Sequence, residues 1–235
     1  LSLLQNIERG GVLVLNGQDP MLDDVASGVH RMLRVGLSKE SMDWTAEQVW
    51  CHETGSSFHV KGTLYETPLF GKHNVVNVLM AMAVAELFGM ELKETRKALQ
   101  TFKPVAGRLQ CKNMDGIYFL DDTYNSNPNS FKAALDFLKD LKLRERKGIV
   151  CGDMLELGQQ SEALHREIGA WIGQASFDFV IAAGSECRFL VDEAIKEGLS
   201  AEKIYHVKNS QEAGILCRQL AVAGDRILVK GSRGM

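Results

Sequence analysis

No G-x-x-x-x-G-K-[ST] phosphate loop occurs anywhere in these 235 residues, and the Gly71-Lys72 pair has no glycine five positions earlier. By itself the chain is therefore not a complete P-loop enzyme. Its cysteines, Cys51, Cys111, Cys151, Cys187 and Cys217, are odd in number, widely spaced and without a Cys-x-x-Cys, which fits neither a disulfide framework nor a zinc site. Reduced, mostly buried thiols are expected. No charge-free run of about 18 apolar residues is present, and no basic-then-apolar leader opens the sequence, so neither a membrane span nor a signal peptide is indicated. The expectation is a cytosolic protein. The 27 Lys and Arg against 30 Asp and Glu leave a net charge of only −3, which argues against a surface built to coat nucleic acid.

What is present is the composition of an ordinary globular protein, 45% apolar and 24% charged, with enough length for one large domain or two modest ones. Residue 1 is leucine, and Met235 follows a Gly-rich turn after which a helix would be expected, so the sequence reads as a piece of a longer polypeptide.

Val12 to Leu15, closed by Asn16, Gly17 and Asp19-Pro20, suits a buried strand and turn. The spacing of Leu22, Val25, Ala26, Val29, Met32 and Leu33 predicts a helix. Trp44 to Val49 and Phe58 to Tyr65 read as short antiparallel strands broken by Gly55-Ser56-Ser57 and Gly62. His73 to Phe88 is apolar on nearly every face and predicts a buried helix, and a second helix over Lys93 to Thr101 ends before Pro104. Pro104 stops that helix and Gly107 adds freedom, which places a domain boundary there: residues 1–104 and residues 105–235.

Beyond the boundary, Leu109 to Lys112 and Ile117 to Leu120 form a hairpin about Asp115-Gly116. Strand and helix then alternate. Apolar strands at Ile149 to Cys151, Phe179 to Ala183, Ile204 to Val207 and Ile227 to Val229 are separated by helices near Ser130 to Leu141, Glu162 to Ile172, Cys187 to Lys196 and Gln211 to Ala221. The class is α/β, with a mainly parallel sheet.

In such sheets ligands bind beyond the carboxyl ends of the strands. The loop Asp121-Asp122-Thr123-Tyr124-Asn125-Ser126-Asn127-Pro128 is denser in hydrogen-bonding groups than a turn requires, with Asn129 or Ser130 placed to cap the next helix. One aspartate there suits ribose hydroxyls. Gly152 to Gly158 encloses the acids Asp153 and Glu156, and Lys230-Gly231-Ser232-Arg233-Gly234 adds two cations suited to carboxylate or phosphate, or simply to solvent. Asn74 and Asn77 share a face of the first turn of their helix, where they either read a planar base or cap the helix. Arg108, in the linker, is placed to reach a phosphate. His52, His59 and His165 are isolated and read as surface or packing residues.

Five motifs in order, FGKHNVVN (Phe70 to Asn77), GRL (Gly107 to Leu109), LDDTYNSNP (Leu120 to Pro128), GDMLELG (Gly152 to Gly158) and LVKGSRG (Leu228 to Gly234), resemble those of the Mur ligases. The third and fourth are similar to the form found in members that add D-alanyl-D-alanine. The resemblance implies that residues 1–104 are the latter part of a central ATPase-like domain and residues 105–235 a Rossmann-like C-terminal domain. It implies ATP-dependent amide formation: the carboxylate of UDP-N-acetylmuramoyl-tripeptide becomes an acyl phosphate, the amine of D-alanyl-D-alanine attacks it, and Mg2+ neutralises phosphate charge. Carried over, Asn74 and Asn77 contact adenine, Arg108 the phosphates and Asp122 the ribose. Tyr124, Asn125, Asn127, Asp153, Lys230, Ser232 and Arg233 would line the dipeptide and acyl-phosphate side. The resemblance puts the phosphate loop, the magnesium-binding acid and histidine and a carbamoylated lysine in sequence that would precede Leu1, so no metal ligand and no ligase activity are expected of these residues alone. A monomer without nucleic-acid or membrane partners is expected.

Three alternatives stay open at this point. One is a sister ligase that adds another amino acid to the muramoyl peptide or glutamate to folate. Another is a receiver-like phosphoacceptor module using Asp121, Asp122, Asp153, Ser185 and Lys230. The last is a non-catalytic nucleotide-binding module.

Overall fold

The computed structural model describes residues 10–22, 31–37, 42–52, 54–141 and 145–235. The chain divides into two compact units, Leu1–Lys103 and Pro104–Met235.

In the first unit β1 (Val12–Asn16), β2 (Arg31–Gly36) and the two-residue β3 (Trp44–Thr45) form a parallel sheet. Met32 and Leu33, expected in a helix, lie in β2. Their non-local pairing with Leu13 and Val14 overrides a helical spacing whose other members, apart from Leu22, lie outside the described residues. Next, β4 (Glu47–His52), β5 (Gly55–Val60) and β6 (Thr63–Thr67) make an antiparallel meander. Gly55-Ser56-Ser57 opens β5 rather than breaking the sheet. There the backbone of Gly55 (φ 146°) lies against the Thr67 carbonyl, and the buried Ser56 hydroxyl donates to Leu69 O at 2.8 Å.

Helix α1 (Lys72–Leu87) buries Val75, Val76, Val78, Leu79, Met82 and Ala83 in a core with Phe58, Val60 and Tyr65. One face departs from the all-round burial expected: Val84, Leu87 and Phe88 are exposed at 40%, 37% and 88%. Helix α2 (Leu92–Thr101) opens with a capping box between Glu91 and Glu94.

The second unit begins with β7 (Gln110–Met114) and β8 (Ile117–Asp122), an antiparallel hairpin about Asp115 (φ 53°) and Gly116 (φ 82°). Two positive φ angles in a two-residue loop are the geometry that matches strand twist. There follow α3 (Pro128–Asp140), β9 (Lys147–Gly152), α4 (Ser161–Gly173), β10 (Phe179–Ala183), α5 (Cys187–Lys196), β11 (Ile204–Val207), α6 (Ser210–Leu220) and β12 (Arg226–Lys230). The sheet order is β11-β10-β9-β12-β8-β7, parallel except for the edge strand β7. This is an α/β, Rossmann-like unit. The last strand, β12, inserts between β9 and β8, which brings the carboxyl ends of β8, β9 and β12, and the loops that leave them, side by side.

Candidate functional site

Adjacent residues of a strand point to opposite faces, so the two aspartates that end β8 part company. Asp121 accepts from Lys112 Nζ on β7 and from Thr123 Oγ1 at 2.6 Å. Burial pushes its carboxyl upward, but the hydrogen bonds from Lys112 and Thr123 outweigh burial and hold it below the ordinary 3.8. Asp122 turns to the other face. Its Oδ2 receives Lys230 Nζ at 2.6 Å and its Oδ1 receives Leu109 N at 3.1 Å.

Lys230 ends β12 directly across from Asp122, as Cα partners in the parallel ladder. Its side chain is 1% exposed, and Nζ also donates to Asn125 O at 3.1 Å. Burial pushes the ammonium below its ordinary value, while the charge and hydrogen bond of Asp122 oppose that shift.

Arg108 sits between two anchored neighbours. Gly107, at φ 71°, accepts from Tyr124 N at 2.9 Å, and a Cβ at Gly107 would lie only 2.9 Å from that nitrogen. Leu109, at φ 50°, is held by Asp122. The Arg108 guanidinium itself lies 4.1 Å from the centre of the Tyr124 ring.

Ser232 joins two loops: its hydroxyl donates to Ser126 O at 3.3 Å and accepts from Leu155 N at 2.9 Å. The structure thus gathers Arg108, Asp122, Tyr124, Asn125, Lys230 and Ser232 at one end of the sheet. Arg233 is exposed, on the rim of a cavity of about 890 Å³ floored by Phe119, Val150 and Val229.

Asn127 is the N-cap of α3. It accepts from Ser130 N at 2.8 Å, while Ser130 returns a bond to Asn127 N, so the cap falls two residues before Asn129. Asp153 is 5% exposed, and its Oδ1 accepts from Cys187 N at 2.8 Å at the start of α5. Asn74 and Asn77 belong to the first unit. Neither caps α1, whose N-cap is Gly71; Asn74 Nδ2 donates to Phe70 O at 2.9 Å and Asn77 Nδ2 to Asn74 Oδ1 at 3.2 Å, with Asn77 exposed.

His165 is wholly buried. Its Nε2 accepts from Met154 N at 3.0 Å, which requires the neutral ring with its proton on Nδ1, donated to Ser161 O at 2.8 Å. With Asp153 and Cys187 it forms the one three-residue group of candidate ligands among the described residues. Both ring nitrogens are occupied and a thiol is a soft donor, so this group does not suit Mg2+. The anchoring amide of Leu109 escaped the sequence reading, because a backbone donor leaves no side-chain signature.

Two family models match: one described as "Mur ligase, glutamate ligase domain" over residues 107–233 and one as "Mur ligase middle domain" over residues 1–85. The chain belongs to the Mur ligase family. The UDP-N-acetylmuramoyl-tripeptide–D-alanyl-D-alanine ligase of Bacillus subtilis (strain 168) is 32% identical to this Mur ligase chain over 238 residues, covering 100% of it and 51% of the relative. Among solved structures, MurF from Acinetobacter baumannii matches with TM-score 0.84 at 27% identity, over 97% of this chain and 50% of that one. A MurF ligase from Thermotoga maritima in complex with ADP shares the fold at TM-score 0.80 and 22% identity, over 96% and 51%. The chain thus spans about half the length of the relatives it matches. No helix among the described residues is long and apolar enough to cross a membrane.

Proposed function

We propose that this chain is the latter part of the ATP-binding central domain, residues 1–104, and the amino-substrate domain, residues 105–235, of a cytoplasmic ligase that joins D-alanyl-D-alanine to UDP-N-acetylmuramoyl-tripeptide in peptidoglycan synthesis. The observation that carries this reading is the Arg108 turn, clamped by Tyr124 and Asp122 at the carboxyl ends of a parallel sheet, in a chain alignable along its whole length to a ligase of that name.

The donor set suits a nucleotide. Arg108 is exposed and held on a ring, an anchored cation of the kind that binds phosphate. Asp122 keeps lone pairs beyond those used by Leu109 and Lys230, which leaves it able to accept from ribose hydroxyls. Asn74 and Asn77, linked amide to amide in the first unit, present amide groups of the kind that read a planar base. Bound ATP supplies the phosphoryl group that activates the acceptor carboxylate. What this chain contributes is positive charge near the phosphates and a fixed frame for the incoming amine. Arg233 is the exposed cation of the LVKGSRG loop, suited to the dipeptide carboxylate, and the exposed Asn125 amide is a further hydrogen-bonding group for the dipeptide. Tyr124, Asn127, Asp153 and Ser232 shape that side through the contacts already described. The Asp153, His165 and Cys187 group, the one such cluster among the described residues, does not suit magnesium.

Two observations weigh against the phosphoacceptor alternative: Asp153 is buried, and its carboxylate is spent on Cys187 N. The test uses the parent full-length polypeptide with UDP-N-acetylmuramoyl-tripeptide, Mg-ATP and D-alanyl-D-alanine, following phosphate release with each omitted in turn. Release that requires both acceptor and dipeptide supports the reading. Release with another amino component moves the protein to a sister ligase, and no release sinks the ligase reading. The 235 residues alone are expected to turn over no ATP.

A further inference from the structure

We propose that Lys230 is a positioning residue for Arg108, acting through Asp122 and not by touching a ligand. The inference rests on the reading of Arg108 as a phosphate contact. Among the described residues Lys230 is the only lysine in the set of largest fully buried side chains, and it lies in a central strand of the sheet. Its ammonium is directed inward to Asp122 Oδ2 and Asn125 O. Through the first bond it fixes the carboxylate whose other oxygen holds Leu109 N, in a left-handed conformation unusual for leucine. Through the second it fixes the backbone next to Tyr124, the ring on which Arg108 rests. Both sides of the 107–109 turn therefore depend on one buried cation. Without it Asp122 is free to rotate away, and Leu109 loses the bond that offsets its backbone strain.

The test is a double-mutant cycle in the full-length enzyme with Lys230→Met, Arg108→Ala and the double variant. Lys230→Met is expected to raise KM for ATP about tenfold, the scale of one lost charge-assisted hydrogen bond, while KM for D-alanyl-D-alanine stays within about twofold. In the Arg108→Ala background the same change should have a clearly smaller effect, the part carried by Asp122 toward the ribose, because the guanidinium it positions is already gone. A dipeptide KM raised more than the KM for ATP, or an undiminished effect without Arg108, would overturn the proposal in favour of direct contact. A second readout needs no activity: trypsin should cleave after Arg108 faster in Lys230→Met than in the parent, at unchanged far-ultraviolet circular dichroism. Equal cleavage rates would also overturn it. Lys230→Gln, which retains a shorter donor, replaces Lys230→Met in both assays if the latter does not fold. Should the parent release no phosphate with these substrates, the functional reading fails while the trypsin comparison still decides the positioning claim.

Discussion

The guanidinium of Arg108 stacks on the ring of Tyr124, 4.1 Å from its centre, while Tyr124 N donates to the carbonyl of the residue before that arginine. Side chain and backbone thus bind the same two segments. Tyr124 is 45% exposed, so the ring contact belongs to the weaker range for cation–π pairs, about 0.5 to 1 kcal/mol. Tyr124→Phe keeps the ring and should leave kcat/KM for ATP within about twofold of the parent. Tyr124→Ala should lower it by about two- to fivefold. Steady-state kinetics of the full-length enzyme decide, and equal losses in both variants would assign the effect to the hydroxyl instead.

Asp122 and Arg108 should separate stability from function. Removing Asp122 leaves Lys230 buried without its counter-ion, the case in which a broken ion pair is costly, about 3 to 5 kcal/mol. Removing Arg108, which is exposed, uncovers no buried charge. Urea denaturation of the 235-residue chain should therefore show Asp122→Ala far less stable and Arg108→Ala within about 1 kcal/mol of the parent, the scale of its ring contact. Both should impair ATP use in the full-length enzyme, by about 1 to 3 kcal/mol for Arg108→Ala. A stable Asp122→Ala would mean that Lys230 finds another partner or gives up its proton.

Asp121 supplies a pH signature. Its carboxyl is held below 3.8 despite partial burial, through hydrogen bonds from Lys112 and Thr123. A carboxylate depressed in the folded state stabilises fully above its unfolded value, and that contribution is lost as pH falls through the folded value. The stability difference between the parent and Lys112→Met should accordingly be constant from neutral pH down to 3.8, then shrink with further acidification. Chemical denaturation at a series of pH values tests this; a gap that persists unchanged at the lowest pH would rule out Asp121 as its source.

Much of the second unit could be read from local signals. Phe179–Ala183, Ile204–Val207 and Cys187–Lys196 lie where apolar runs and helical periodicity place them. Strand β2 could not be, because its partner β1 is remote in sequence and its own apolar spacing imitates a helix. The same division holds at the site. The LDDTYNSNP and LVKGSRG loops stand out as polar segments after apolar strands, yet their residues looked alike as ligand contacts. That Lys230 is buried against Asp122 follows from β12 inserting beside β8, a pairing across 108 positions. Asn127 rather than Asn129 caps α3 because Pro128 takes the first helical position, where a missing N–H costs nothing.

The group of Asp153, His165 and Cys187 has the composition of a metal site and should hold none. Each member is already committed: Asp153 to Cys187 N, and His165 to Met154 N and Ser161 O. The Cys187 thiol is pushed well above its ordinary value by its hydrogen bond with Cys151, by burial and by the nearby Asp153, so the thiolate a metal requires is disfavoured. Purified protein should therefore carry no stoichiometric zinc by elemental analysis, and EDTA should leave the melting temperature unchanged. His165→Ala, by contrast, leaves the buried amide of Met154 unpaired and should cost about 1 to 3 kcal/mol with or without chelator. Zinc at one equivalent, or a melting temperature lowered by EDTA in the parent but not in His165→Ala, would show that the three side chains rearrange around an ion.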